Sequence, residues 1–403
     1  MSGRRRFVHI GGAALLALAF LGATSASHAE SIRAGEWPLD SGHFRADEIW
    51  ATSRGSGTTV AVVDSGVAAD HPDLAGRVLP GVSLLGDGGD GRTDTSGDSH
   101  GTAIAGIIAA GGGPAPGDGM TGLAPEAKIL PVRVGPGGQI SASAVARGIV
   151  WAADHGAQVI NISVGSPDPD PLLRQAVSYA MERDAVVVAS AGNDGDRGNP
   201  AMYPAAFPGV VSVSGVDSAG VFWPSSESGP GIVVAAPAVG ILSTNDQGSY
   251  VNADGTSYAA AYVSATAALI RSSHPELSAG QVIHRLITST IERLDRPDAK
   301  LGYGRLDPLA ALTGVQDAAG RENPLLRPRG AEPSASSFPT VPVAAVAAGS
   351  VLAVSAVVLV RLRWRRRPAP PAPARPRSAG GGGRNRGSQG TRRSERPRKS
   401  RRS

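Results

Sequence analysis

Val60-Ala61-Val62-Val63-Asp64-Ser65-Gly66 is the stretch that decides the fold. Four small or β-branched apolar residues in a row describe a strand buried on both faces, and Asp-Ser-Gly is a turn at its carboxyl end. In a parallel α/β sheet that end is where binding crevices form. Taken alone, Asp64 is an ordinary turn former. Outward from this stretch, Val/Ile/Ala-rich runs at residues 128–134, 158–164, 186–190, 210–216 and 232–236 predict further strands. Patterns at residues 141–155, 171–183, 257–272 and 279–289 predict helices between and after them. Such alternation across residues 37–313 points to one α/β domain with a mostly parallel sheet covered on both faces by helices. There is no internal repeat.

A second segment, His100-Gly101-Thr102-Ala103-Ile104-Ala105-Gly106, puts a histidine at the start of an apolar, small-residue helix. A ring in the first turn of a buried helix is held rigidly, and Gly101 and Gly106 let neighbouring backbone pack close. His71, His155, His274 and His284 lack such a setting and read as surface or structural residues. The third segment, Gly255-Thr256-Ser257, opens a helix that carries no charge for three turns. Such a helix must be buried, and its free N–H groups and partial positive charge face whatever sits at its start. A helix cap is the plain alternative role for Thr256 or Ser257. A fourth segment, Ala191-Gly192-Asn193-Asp194-Gly195, follows the apolar run 186–190 and delivers a neutral amide donor into a glycine-flanked loop. A serine hydroxyl is a poor nucleophile until an imidazole takes its proton and a carboxylate orients the imidazole. Ser257, His100 and Asp64 are the candidates for those roles, and Asn193 is the candidate oxyanion donor.

Together these segments resemble the subtilisin-like serine proteases, or subtilases, over residues 37–312. Val62-Val63-Asp64-Ser65-Gly66 is similar to the family's aspartate motif, the segment from His100 to its histidine motif, and Gly255-Thr256-Ser257-Tyr258-Ala259-Ala260 to its serine motif. The order Asp, His, Ser is that of subtilisin and differs from the orders in chymotrypsin and the α/β-hydrolases. The resemblance implies the subtilisin-like three-layer α/β fold, an endopeptidase with a Ser/His/Asp triad, and protein or peptide substrates. It also implies an oxyanion hole made by the Asn193 side chain and the Ser257 N–H. The substrate strand is implied to lie between Ile162-Ser163-Val164-Gly165 and the segment after Val132-Arg133-Val134, which leaves selectivity to side-chain pockets. Ser163, Gly165, Ala189, Ser190 and Gly192 describe a primary pocket of small groups suited to neutral side chains. One departure is Ala261, which stands where the family usually carries proline. Because His100 must be neutral to act as a base, hydrolysis is expected to fall below roughly pH 6 to 7.

The loop containing Asp87, Asp90, Asp94 and Asp98 lacks the spacing of a calcium loop, and clustered Asp and Gly form solvated turns, so neither metal nor cofactor is expected. With no cysteine among 403 residues, thiol catalysis and disulfides are excluded, and the domain rests on its apolar core.

The two ends carry the remaining signals. Arg4, Arg5 and Arg6 precede an apolar run at residues 10–22, and Ser27 and Ala29 mark a cleavage site, so residues 1–29 read as an export signal of the general or twin-arginine type. Residues 30–54 form an N-terminal extension, 55–313 the protease domain and 314–340 a Pro-rich linker. Residues 341–360 are uncharged and long enough to span a bilayer. The tail at residues 361–403 holds 15 Arg, one Lys and one Glu, which keeps it in the cytoplasm and the domain outside. Without that tail and the signal arginines the chain has 20 basic and 33 acidic residues, so the exported part is acidic and nucleic acid is not an expected partner. Signal, short leader, subtilase domain, linker, single span and basic tail together resemble the mycosins, membrane-anchored subtilases associated with type VII secretion. That resemblance implies secretion-complex subunits as partners. Two alternatives stay open: a mainly structural component of such a complex, and a tethered degradative subtilase.

Overall fold

Residues 60–63 form the core of β1 (Thr59–Asp64), an interior strand of a seven-stranded sheet. The computed structural model of the chain describes residues 32–113, 118–136, 140–314 and 320–326. The export signal, the 341–360 span and the basic tail lie outside the described residues. Among the described residues no helix is long and apolar enough to cross a membrane.

The other strands are β2 (Val82–Ser83), β3 (Lys128–Arg133), β4 (Val159–Ile162), β5 (Val186–Ser190), β6 (Val211–Val216) and β7 (Val234–Pro237). Their order is β2-β3-β1-β4-β5-β6-β7, and every pair is parallel. Strand side chains alternate between faces, so Val60 and Val62 enter one apolar cluster while Ala61 and Val63 enter the other. The first cluster packs under the helices His100–Ala109, Thr256–Ser273 and Ala279–Thr288, and the second under Ala142–Asp154 and Pro171–Glu182. This is the expected sheet between two helix layers. The helix starts follow local chemistry. Ser141 accepts from the Ala144 N–H, Asp170 caps a helix with Pro171 in its first turn, and Ser278 and Gln281 form a reciprocal capping box.

Chain order reverses direction at β1, with β3 on one side and β4 on the other. The carboxyl ends of these three strands therefore frame a crevice at the switch point. Asp64 closes β1, Val134 follows β3, Ser163 follows β4, and Asn193 follows β5 by three residues.

Five strands and α-helices are not apparent in the sequence: β2, the antiparallel pair β8 (Ile241–Thr244) and β9 (Tyr250–Ala253), and the short helices Ala46–Thr52 and Pro308–Thr313. Leu39, Phe44 and Ile49 from the N-terminal extension are buried in the first cluster. Phe44 meets Tyr262 edge to face at 5.5 Å, while Trp37 and Trp50 donate their indole N–H groups to the carbonyls of Val239 and Leu123. The extension is held by noncovalent packing.

Candidate active site

Asp64 is 1% exposed and its Oδ1 accepts two bonds, from the Ser65 N–H at 2.8 Å and from His100 Nδ1 at 2.8 Å. With Nδ1 spent on the carboxylate, the ring presents Nε2 as a free acceptor. Burial works against a charged ring. The Asp64 carboxylate outweighs it by charge and hydrogen bond, with Asp98 and Asp94 adding, so the His100 pKa lies above its ordinary 6.5. This revises the pH expected from the sequence upward.

His100 is fixed by how its helix begins. The first three N–H groups of a helix lack partners within it. Here each finds a side chain: His100 N–H donates to Ser96 Oγ at 3.0 Å, Gly101 N–H to Ser65 Oγ at 3.0 Å, and Thr102 N–H to Asp94 Oδ2 at 2.9 Å. Asp94 is the hub. Its Oδ1 also accepts from the Ser65 hydroxyl and from the Ser96 hydroxyl and N–H, and its Oδ2 from the Thr102 hydroxyl. A Cβ at Gly101 would stand 2.1 Å from the Gly66 carbonyl oxygen, so glycine permits the approach that brings His100 onto Asp64. Gly106 serves a different contact, since a Cβ there would strike the side chains of Thr244 and Ser243 rather than backbone.

Ser257 lies in the first turn of Thr256–Ser273, a helix buried from Thr256 to Arg271. It is not the cap. That role falls to Asn193, whose Oδ1 accepts from the Thr256 N–H and hydroxyl, both at 2.9 Å. The same bonds orient the Asn193 amide, leaving its Nδ2 beside Gly255 without a hydrogen-bond partner among the described residues. The Ser257 hydroxyl donates to the Ser163 carbonyl at 3.2 Å, and no hydrogen bond joins it to His100 among the described residues. The ring of Tyr258, the next residue, lies 6.4 Å from the His100 ring.

The predicted substrate-binding residues divide. Ser163 touches the site, its Oγ bonded to Asn161 and to the Ser257 carbonyl. Val164 and Gly165 line a small hollow with Ile140, Leu173 and Tyr203. Gly192 bonds Thr256 through its N–H and carbonyl. Ser190 is half-buried, whereas Ala189 is buried in the sheet and Val134, 2% exposed, gives its N–H to the Asp64 carbonyl. Within the Asp-rich loop, Asp94 accepts from the start of the histidine helix, Asp87 pairs with Arg133, and Asp90 accepts from the Arg92 N–H. Asp94 could be found from sequence only as a polar residue six positions ahead of an apolar helix, a signal shared with many turns.

The sequence profile of the subtilase family, Peptidase S8, matches residues 55–304. Subtilisin DY of Bacillus licheniformis is 39% identical over 248 residues, which span 60% of this chain and 87% of that protein. The solved MycP3 protease from the type VII (ESX-3) secretion system is 36% identical with a TM-score of 0.59, covering 68% of this chain and 87% of its own. MycP1 with its N-terminal propeptide removed is 31% identical with a TM-score of 0.62, covering 71% of this chain and 99% of its own.

Proposed function

This chain belongs to the subtilase family and is a subtilisin-like serine endopeptidase, and we propose that Asp64, His100 and Ser257 are its triad, Asn193 its oxyanion donor, and a type VII secretion complex its workplace. The observation that carries the triad is the 2.8 Å bond between Asp64 and His100 Nδ1, which leaves Nε2 as the ring nitrogen not bonded to the buried carboxylate.

In the resting state the Ser257 proton is held by the Ser163 carbonyl. Rotation of the hydroxyl about its side-chain bond frees it for His100 Nε2. The Oγ–carbon bond then forms as Nε2 takes the proton, and the substrate carbonyl becomes an oxyanion between Asn193 Nδ2 and the Ser257 N–H at the positive end of its helix. His100 returns the proton to the leaving amine as the carbon–nitrogen bond breaks. Water repeats the sequence on the acyl-enzyme and regenerates the hydroxyl. Asp64 orients the ring and stabilises it while charged.

Export, anchoring and orientation rest on the sequence: the signal at residues 1–29, the uncharged span at 341–360 and the arginines that follow it. The secretion role is supported by the likeness to MycP3, a protease from a type VII secretion system, together with that architecture. A three-way comparison tests it: cells with the native protein, with Ser257→Ala, and with no protein. Peptide hydrolysis by the purified protein should fall by about 10⁶ in Ser257→Ala. Undiminished hydrolysis refutes the nucleophile. Secretion that is normal without the protein refutes the workplace, and secretion lost only with the whole protein assigns that role to its structure rather than its activity.

A further inference from the structure

The loop that carries Asn193 is gripped on both sides by Glu227. Glu227 is 3% exposed, although it sits between three serines in the polar run Ser225-Ser226-Glu227-Ser228. Its backbone N–H donates to the Gly192 carbonyl at 3.1 Å, and its Oε1 accepts from the Asp194 N–H at 3.1 Å. Glu227 therefore ties down the residue on each side of Asn193. Its second oxygen is buried against the Gly192 backbone without a hydrogen-bond partner among the described residues. A Cβ at Gly192 would stand 2.3 Å from that oxygen, and Gly192 has a φ of +115°, so the contact requires glycine twice over.

The platform beneath is itself anchored. The Ser226 hydroxyl accepts from the Gly215 N–H in β6 at 3.1 Å, which fixes Glu227 to the sheet. Farther along, Gly195 N–H donates to the Ser225 carbonyl, and Asn199 exchanges bonds with Ser228. The chain from β6 to the Asn193 amide thus runs through Ser226 and Glu227, and the amide oxygen completes it by capping the Ser257 helix.

We propose that Glu227 is a positioning residue for the oxyanion hole: its carboxyl clamps the Gly192–Asp194 backbone so that Asn193 Nδ2 stays on the developing oxyanion. This rests on the assignment of Asn193 as the oxyanion donor. The work is done by an acceptor oxygen rather than by charge. Burial pushes the Glu227 pKa up to about 7, against the pull of the Asp194 N–H, so near neutrality the group is part acid and part carboxylate. Oε1 can accept from Asp194 in both forms. Arg197, whose charge draws this pKa down, bonds Asp194 and the Asn193 carbonyl rather than Glu227.

The test uses two substitutions that preserve volume. Glu227→Gln keeps an acceptor facing the Asp194 N–H, whereas Glu227→Met fills the space without one. Each is made alone and with Asn193→Ala, and kcat and KM are measured on a peptide substrate after thermal melting shows the variants folded. Glu227→Met should lower kcat about tenfold with KM within about twofold, because a small misplacement of a transition-state donor acts on turnover. Glu227→Gln should recover most of that loss. In the Asn193→Ala background Glu227→Met should cost less than about twofold, since the donor it positions is already gone. A Glu227→Met enzyme with native kcat overturns the proposal, as does a tenfold loss that persists in full beside Asn193→Ala. If Asn193→Ala alone leaves kcat intact, the oxyanion assignment itself fails, an outcome separate from the other two.

Discussion

The two helices that meet at the crevice begin in opposite ways. The His100 helix is tied at its first three N–H groups to Ser96, Ser65 and Asp94, and its ring to Asp64. The Ser257 helix is tied at its first N–H to Asn193, and the hydroxyl behind it rests on a carbonyl it must leave before reacting. On the proposed assignment the base is therefore held in place in advance, while the hydroxyl of the nucleophile has still to leave its carbonyl. A base must offer the same lone pair to two successive proton transfers, which favours rigidity. A hydroxyl that rotates on a side-chain bond needs only a fixed Cα.

The largest break of this contrast is at the base. Asp64→Asn should lower kcat by about four orders of magnitude, the size established for loss of this carboxylate in other serine proteases. The same variant tests the electrostatics. In the native enzyme the acid limb of the kcat/KM profile should lie above pH 6.5, because Asp64 raises the His100 pKa and the protonated ring is no base; activity falls as pH drops through that raised value. In Asp64→Asn the residual activity should show the limb moved down. At the nucleophile end, Asn193→Ala should lower kcat by about 10² to 10³, the range known for the equivalent loss in a subtilisin.

Breaking the tie rather than the chemistry should show as stability. Asp94→Ala removes an acceptor that serves five bonds and strands buried donors at the start of the His100 helix. A loss of about 3 kcal/mol is expected, read as a fall of roughly 6 to 12 °C in Tm. The smallest effect lies in the N-terminal segment packed behind the Ser257 helix. Burial pushes the Glu36 pKa up to about 7, against the Thr121 N–H and Arg33, whereas the unfolded chain ionises near 4.5. A raised carboxyl gives stability that is complete below the unfolded pKa and is lost as pH rises through about 7. Glu36→Gln should therefore raise Tm by a few degrees at pH 8 and leave it unchanged near pH 4.

The contrast also marks what sequence could carry. β1, the His100 helix and the first turns of the Ser257 helix are legible because each is a charge-free run of mostly apolar residues that burial explains. The pairing of Asp64 with His100 follows from motif order, and the structure brings the two within 2.8 Å. Residues that act from loops are not legible in this way. Asp94 sits in a string of Asp, Ser and Gly that reads as solvated turns and Glu227 in a polar run of serines, and only the fold turns their carboxyls inward. β8 and β9 are four residues each and join by a tight polar loop, too short for an alternating pattern to stand out. Arg45, which precedes the helix Ala46–Thr52, adopts a left-handed backbone that its side chain does not advertise.

The central claim is that Ser257 is made nucleophilic by His100 and Asp64. Labelling the intact protein with a fluorophosphonate and mapping the adduct by mass spectrometry tests it most directly. One phosphonyl group should appear on Ser257, at a rate slowed strongly in Asp64→Asn and abolished in Ser257→Ala. Labelling that persists in Ser257→Ala, or that maps to another residue, contradicts the account.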